Sequence, residues 1–301
     1  MLDYKLIEAF AMVIIEGGFE KASRRLHLTQ SAISQRVKQL EDQHGQILLK
    51  RGSPPEPTQH GLPLLVHYRQ VSQLETDLRH RCSHDRQSPF ASLSIGINAD
   101  SLATWFFEAV AALLLEENIV LDLHVDDQER THELMRDGKV WGCISTRTQP
   151  LQGCRATLLG RVKYGIFATA EFSGKWFSNG LRPEAFELAP MARYNRKDDL
   201  NSRMFSLLLE KPPEDPPTFF LPSTEIYGLF VAEGKCYGIL PEQQSSKLEA
   251  SGRIINLSPD HWVDVDLYWH SWTLKSALME RFNRHFIASS QRILGRQATS
   301  S

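Results

Sequence analysis

Between Gly17 and Arg51 the chain reads GGFEKASRRLHLTQSAISQRVKQLEDQHGQILLKR, and no other stretch limits its fold as strongly. Gly17-Gly18 stops the preceding helix, and Phe19 supplies an apolar staple at the start of the next. A short helix follows, with Ala22 and Leu26 turned inward. After a break at Leu26-His27-Leu28, Thr29 is a good N-cap for a second helix over about residues 30–44. There Ile33, Val37 and Leu40 recur at i, i+4 and i+7 and define a buried stripe. Gln30, Ser31, Ser34, Gln35, Arg36 and Lys38 are left on the outer surface. Amides, hydroxyls and guanidinium groups on one helix face can reach base edges and phosphates in a major groove. The pattern is a helix-turn-helix whose second helix does the reading.

The flanking segments extend this unit. Leu2 to Ile15 reads as a first helix, with Leu6, Phe10 and Val13 roofing the other two. Gln46 to Pro57 joins a β-prone Ile47-Leu48-Leu49 to a Gly52-Ser53-Pro54-Pro55 tip, which suits a wing hairpin. Arg51, beside that tip, is either a phosphate contact or a solvated loop arginine. From Leu62 to about Arg81, Leu64, Tyr68, Val71, Leu74 and Leu78 make one narrow apolar stripe on a polar helix. So narrow a stripe suits a seam between two helices better than burial in a globule. Pro63 requires that helix either to start late or to bend. His80, Cys82 and His84 enter a polar linker over Ser83–Ser88 without a fourth ligand nearby, so they read as a solvated hinge and not a metal site.

Charge narrows the kind of DNA binding expected. The 301 residues suffice for two or three domains and carry 34 Lys/Arg against 36 Asp/Glu, a net of −2. Residues 1–82 hold 11 basic and 9 acidic side chains (net +2), leaving 23 and 27 (net −4) for the rest. Affinity must then come from a few placed cations and from dimer avidity, not from a basic field. The chain has no run of about eighteen apolar residues and no basic-then-apolar leader, so the expected location is the cytoplasm, with no membrane contact. Cysteines 82, 143, 154 and 236 lack metal or redox spacing, so no metal or cofactor is expected. No nucleophile elbow, P-loop, GxGxxG or paired metal motif is present, which argues against an enzyme.

After Pro89 strand and helix alternate. Ala91–Asn98, Val120–Val125 and Val140–Ser145 read as strands; Ser101–Glu116 and Glu129–Asp137 read as helices between them. Such a run implies a parallel sheet. A second block opens at Arg161–Thr169, followed by Asn201–Leu209, Thr224–Glu233, Tyr237–Leu240, Asp264–His270 and a last helix over Leu274–Leu294. Ligands of open α/β sheets bind beyond the C-terminal strand ends, which draws attention to Asn98, Asp100, Ser101, Thr104 and Trp105. Ser101 and Thr104 with nearby amides could take a carboxylate, while Asp100 or Ser101 would also serve as a helix cap. Asp126, Asp127 and Glu129 crowd the mouth of the same edge and require a cation, Arg130 or solvent. Thr224 and Glu225 would add a hydroxyl and a carboxylate from the second block, or form part of a capping box with Ser223.

One resemblance spans these observations. Ala22-Ser23-Arg24-Arg25-Leu26, Gln30–Gln35, Leu40-Glu41, Gly45, Leu48–Arg51 and Pro57–Gly61 resemble, in order and spacing, the winged helix-turn-helix of LysR-type transcriptional regulators. That resemblance implies a DNA-binding domain over 1–61, a linker and dimerisation helix with hinge over 62–88, and a two-lobed effector domain of the periplasmic-binding-protein type over 89–301. Lobe I would take about 89–162 and 267–301, and lobe II about 163–266. Double-stranded DNA would be contacted from Ser23, Thr29, Gln30, Ser31, Ser34, Gln35, Arg36, Lys38, Arg51 and Thr58. A homodimer or homotetramer and an encounter with RNA polymerase are implied as well. Asn98–Trp105, the Asp126-Asp127 turn with Arg130-Thr131, and Tyr268-Trp269-His270 look like the ArgP (IciA) branch, which is associated with sensing lysine and arginine. By that likeness Asn98, Asp100, Ser101, Thr104, Trp105, Asp126, Asp127, Glu129, Thr146, Thr224 and Glu225 would hold a basic amino acid, with Asp127 its first carboxylate partner. The alternative is a ligand-independent protein that binds AT-rich DNA, of the replication-initiation-inhibitor type. The likeness is thin between 170 and 220, where Pro212–Pro217 makes a stiff acidic turn.

Overall fold

The computed structural model describes residues 2–82, 90–126, 128–274 and 276–295; the side chains of residues 77, 79–82 and 128–130 lie outside the description. Three helices open the chain: α1 (Tyr4–Ile15), α2 (Phe19–Leu26) and α3 (Gln30–His44). Asp3 caps α1 by accepting from the Lys5 N–H at 3.0 Å, and Thr29 caps α3 by accepting from the Ala32 N–H at 3.2 Å. Between α2 and α3 the chain turns through His27, whose backbone is left-handed (φ 54°). Leu6, Phe10, Val13, Ala22, Ile33, Val37 and Leu40 are buried together, so truncating one large member should cost about 2–5 kcal/mol. The wing pairs β1 (Leu49–Lys50) with β2 (Glu56–Pro57).

Helix α4 (Leu62–Cys82) starts late and is continuous through Pro63. The Thr58 carbonyl accepts from the Leu62 N–H at 2.9 Å, and Pro63 falls at the second helical position, where an N–H has no intrahelical acceptor to lose. Its apolar stripe divides. Leu64 and Tyr68 pack onto the core of the first domain, with Tyr68 stacked on Tyr4 at 6.0 Å. Val71 and Leu74 are half-buried, and Leu78 is exposed.

Beyond residue 89 the first lobe contains β3 (Ala91–Ile97), α5 (Ala99–Thr104), α6 (Phe106–Glu116), β4 (Ile119–Val125), α7 (Gln128–Arg136) and β5 (Gly142–Ser145). β3 is parallel to both β4 and β5. The single helix read over Ser101–Glu116 is broken at Trp105, whose indole is buried and stacked on Phe286 at 6.1 Å. Next comes β6 (Cys154–Ala168), which runs for 15 residues out of this lobe into the other. The second lobe adds α8 (Ala170–Trp176), α9 (Pro183–Leu188), β7 (Met191–Arg193), α10 (Leu200–Leu208), β8 (Thr218–Phe220), α11 (Thr224–Ala232), β9 (Gly238–Pro241), α12 (Glu242–Ala250) and β10 (Ile255–Asn256). The chain returns along β11 (Val263–Trp272) and ends in α13 (Ala277–Gly295).

The main sheet is mixed and has seven strands in the order β10-β6-β11-β5-β3-β4, with β9 also on β6. β6 and β11 pair antiparallel from Cys154↔Trp272 to Tyr164↔Val263, with a register shift at Leu267/Tyr268. Gly160 faces that shift with φ +146°, and a Cβ there would stand 2.5 Å from the Leu294 Cβ, so only glycine fits. These two crossing strands carry the chain between the lobes, and β11 lines the cleft between them. Among the described residues no helix is long and apolar enough to cross a membrane.

Candidate functional site

On α3 the side chains of Gln30, Ser31, Gln35 and Lys38 are exposed, and those of Ser34 and Arg36 half-exposed. The buried stripe of Ile33, Val37 and Leu40 lies opposite, so packing sets which groups face outward. Lys50 and Arg51 are exposed on the wing. Thr29 is at the surface, but its hydroxyl is engaged with Ser31 Oγ at 3.0 Å and with the Ala32 N–H. Two expected contacts are turned to internal use. Ser23 is buried and its hydroxyl donates to the Glu20 carbonyl at 2.8 Å. The Thr58 hydroxyl donates to the Ile47 carbonyl at 2.7 Å and accepts from the Gly61 N–H at 3.1 Å, which ties the wing to the start of α4.

The second site is a cavity of about 580 Å³ between the lobes. Asn98, Asp100, Asp126 and Thr146 line it from the first lobe, Tyr194, Lys197, Asp198, Asp199 and Arg203 from the second, and Asp264, Asp266 and Tyr268 from β11. Its lining carries six carboxylates (Asp100, Asp126, Asp198, Asp199, Asp264, Asp266) against two cations (Lys197, Arg203), a net of −4. Arg161 offsets part of this, donating to Asp266 at 2.6 Å and to Asp264 at 3.0 Å. Arg203 reaches β11 by donating to the Asp264 carbonyl at 2.7 Å.

Asp100 is the clasp between the lobes. Asn98 occupies the N-cap position of helix α5 without a side-chain cap bond, and Asp100 follows within the first turn. Its Oδ2 accepts from the Tyr164 hydroxyl at 2.9 Å and its Oδ1 from the Thr224 hydroxyl at 2.8 Å, so one carboxylate joins α5, β6 and α11. Burial raises the Asp100 carboxyl above its ordinary value, against the pull of the two hydroxyls. Burial also raises Asp198, against the amides of Leu200 and Tyr194 and with a further push from Asp100. Desolvation thus favours the neutral form of both carboxyls, and a cation brought against either would favour the ionised form. The buried Asn98 Oδ1 and Ser101 Oγ have no hydrogen-bond partner among the described residues.

Several residues expected to touch the ligand do not line this cavity. Trp105 belongs to the core against Phe286, because the helix breaks there and turns the indole inward. Thr104 donates to the Asp100 carbonyl within its own helix. Ser101 is buried and does not line the cavity, and neither does Thr224, whose hydroxyl is taken by Asp100. Glu225 is exposed and accepts from Ser223 at 3.1 Å outside the cavity. Asp127, the Glu129 side chain and the side chains of the His80–His84 cluster lie outside the described residues. Tyr164, Asp198, Arg203, Asp264 and Asp266 escaped the sequence reading. The last two had a signal: VDVDL alternates, burying Val263, Val265 and Leu267 and turning both aspartates to the other face.

Residues 4–62 match the bacterial regulatory helix-turn-helix protein, lysR family. Over 97% of this chain and 98% of the relative, the sequence is 39% identical to the HTH-type transcriptional regulator ArgP of Aeromonas salmonicida. The crystal structure of ArgP from Mycobacterium tuberculosis is similar at a TM-score of 0.88 and 32% identity, covering 96% of this chain and 98% of that one. Full-length LysG from Corynebacterium glutamicum, solved with bound effector Arg, is similar at a TM-score of 0.82 and 29% identity, covering 97% and 99%. The chain therefore belongs to the LysR family of transcriptional regulators, DNA-binding proteins and not enzymes, and within that family it is similar to ArgP.

Proposed function

We propose that this chain is a transcriptional regulator whose action on DNA is governed by lysine or arginine held between its lobes. The observation that carries this reading is the charge of the cleft, six carboxylates against two cations around a space of about 580 Å³. Arg203, Lys197 and the hydroxyl of Thr146 suit an α-carboxylate, and Asp100 suits the α-ammonium group. Asp126, with Asp127 next to it in sequence, suits the cation at the end of a basic side chain. A neutral side chain brings no charge to this acidic lining, so it gains none of the attraction that a cationic one does. The bound effector Arg of the similar LysG lends support.

DNA would be read by Gln30, Ser31, Ser34, Gln35, Arg36 and Lys38, with phosphate contact from Arg51 on the wing. A second copy would cover Val71, Leu74 and Leu78 on α4, giving a dimer or tetramer, and RNA polymerase would be met at the promoter. Calorimetry tests the effector assignment, with heats expected for lysine and arginine and far weaker binding of leucine and glutamine. Silence with both basic amino acids, or equal affinity for leucine, leaves a DNA-binding protein that works without this ligand.

A further inference from the structure

We infer that Glu41 is a positioning residue for DNA reading, a clamp that holds the wing at a fixed place beside the recognition helix. Its Oε1 accepts from two successive backbone amides, the Leu48 N–H at 2.9 Å and the Leu49 N–H at 3.2 Å. Both leucines are buried, so these amides have left water and depend on the carboxylate for an acceptor. Leu49 opens β1, and Lys50 and Arg51 follow directly on the exposed wing. The opposite side of the same turn is pinned by Thr58, whose N–H donates to the Leu48 carbonyl at 2.9 Å.

The strand pairing within the wing is short. Its strands are two residues each, and Leu49 is paired with Pro57, which has no N–H to give. The clamp therefore sets where Lys50 and Arg51 stand relative to Gln35 and Arg36. Charge gives the effect a distinctive sign. A carboxylate on a helix that approaches phosphates is repulsive, so removing an idle one would leave binding unchanged or tighter. Removing a clamp weakens it. This inference rests on the proposed reading that α3 and the wing both touch DNA.

The test uses the full chain and a DNA fragment selected for binding by the wild type, measured across a salt series and by hydroxyl-radical footprinting. Glu41→Ala is expected to bind about tenfold more weakly, or ~1.4 kcal/mol. Its log–log salt dependence should become shallower by about 0.9 for each phosphate that the wing no longer reaches. Protection should vanish only at the flank covered by the wing, while the positions covered by α3 keep theirs. Glu41→Gln, whose amide oxygen can accept from the same two N–H groups, should stay within about twofold of wild type. Binding by Glu41→Ala as tight as wild type overturns the inference. So does a uniform loss of protection with an unchanged salt slope, which marks plain loss of folded protein. Failure to select any fragment would instead sink the DNA-reading surface itself.

Discussion

Asp100→Asn separates what the Asp100 carboxylate does for the ligand from what it does for the fold. Asparagine keeps the shape, and its Oδ1 can still accept one of the two hydroxyls now donated by Tyr164 and Thr224. The other hydroxyl then meets an N–H and must turn, a loss of about one hydrogen bond worth ~1 kcal/mol. Relief from burying a charge offsets this, so the ligand-free protein should melt within a few degrees of wild type. The ligand loses more. An ammonium about 4 Å from a carboxylate gains at most ~4 kcal/mol at an effective dielectric near 20, and a charge-assisted hydrogen bond nets roughly 1.5–3 kcal/mol. The dissociation constant for lysine or arginine should therefore rise about 10- to 150-fold.

The same site fixes a pH dependence. Burial raises the Asp100 and Asp198 carboxyls above their ordinary value of 3.8. A folded-state pKa above the unfolded one means that the native protein holds the proton more firmly. These groups thus favour the ligand-free fold as pH falls toward 3.8 and count against it once they are ionised. A cationic ligand needs the ionised form. Its affinity should fall as pH drops through the raised values, with protons released on binding. Calorimetry at two pH values in buffers of different ionisation enthalpy reads both effects. Wild-type affinity in Asp100→Asn, or tighter binding at the lower pH, refutes the reasoning.

Other expectations concern separate parts of the chain. Gln35→Ala and Arg36→Ala should each weaken specific DNA binding by about 1–3 kcal/mol, read by gel shift at fixed salt, and unchanged affinity in both would place base reading elsewhere. Leu74→Glu, on the half-buried part of the α4 stripe, should shift sedimentation from oligomer to monomer, and a monomeric wild type would remove the basis for it. Gly138→Val meets two obstacles: φ is +65°, and a Cβ would lie 3.2 Å from Val66 Cγ2 and 3.3 Å from Val66 Cα. It should cost about 1–3 kcal/mol in thermal unfolding. It should also loosen the junction in which Arg69 donates to the Asp137 carbonyl at 2.6 Å, and a melt identical to wild type would show that this junction carries no weight.

The helix-turn-helix was legible in the sequence because its determinants are local. The cap at Thr29 and the spacing of Ile33, Val37 and Leu40 act within a few residues of one another. The cleft depends on distant pairings. Asp100 stands where a cap would be expected, yet its partners lie 64 and 124 residues away, and no periodicity reports them. Trp105 shows the same limit, since the helical pattern runs through it while the helix breaks there and its indole packs against Phe286. In the second lobe β7 and β8 have three residues each and α8 and α9 seven and six, too brief to separate from loops, while α12 (EQQSSKLEA) is as long as α10 and α11 but too polar to show an apolar period.

A footprint of the selected DNA, titrated with lysine, arginine and leucine in turn, bears most directly on the account. The expected result is a change in the extent or position of protection with lysine or arginine, none with leucine, and in Asp100→Asn a change that needs about 10- to 150-fold more lysine or arginine. Protection that stays the same at saturating lysine and arginine, on DNA the protein binds well, would contradict it.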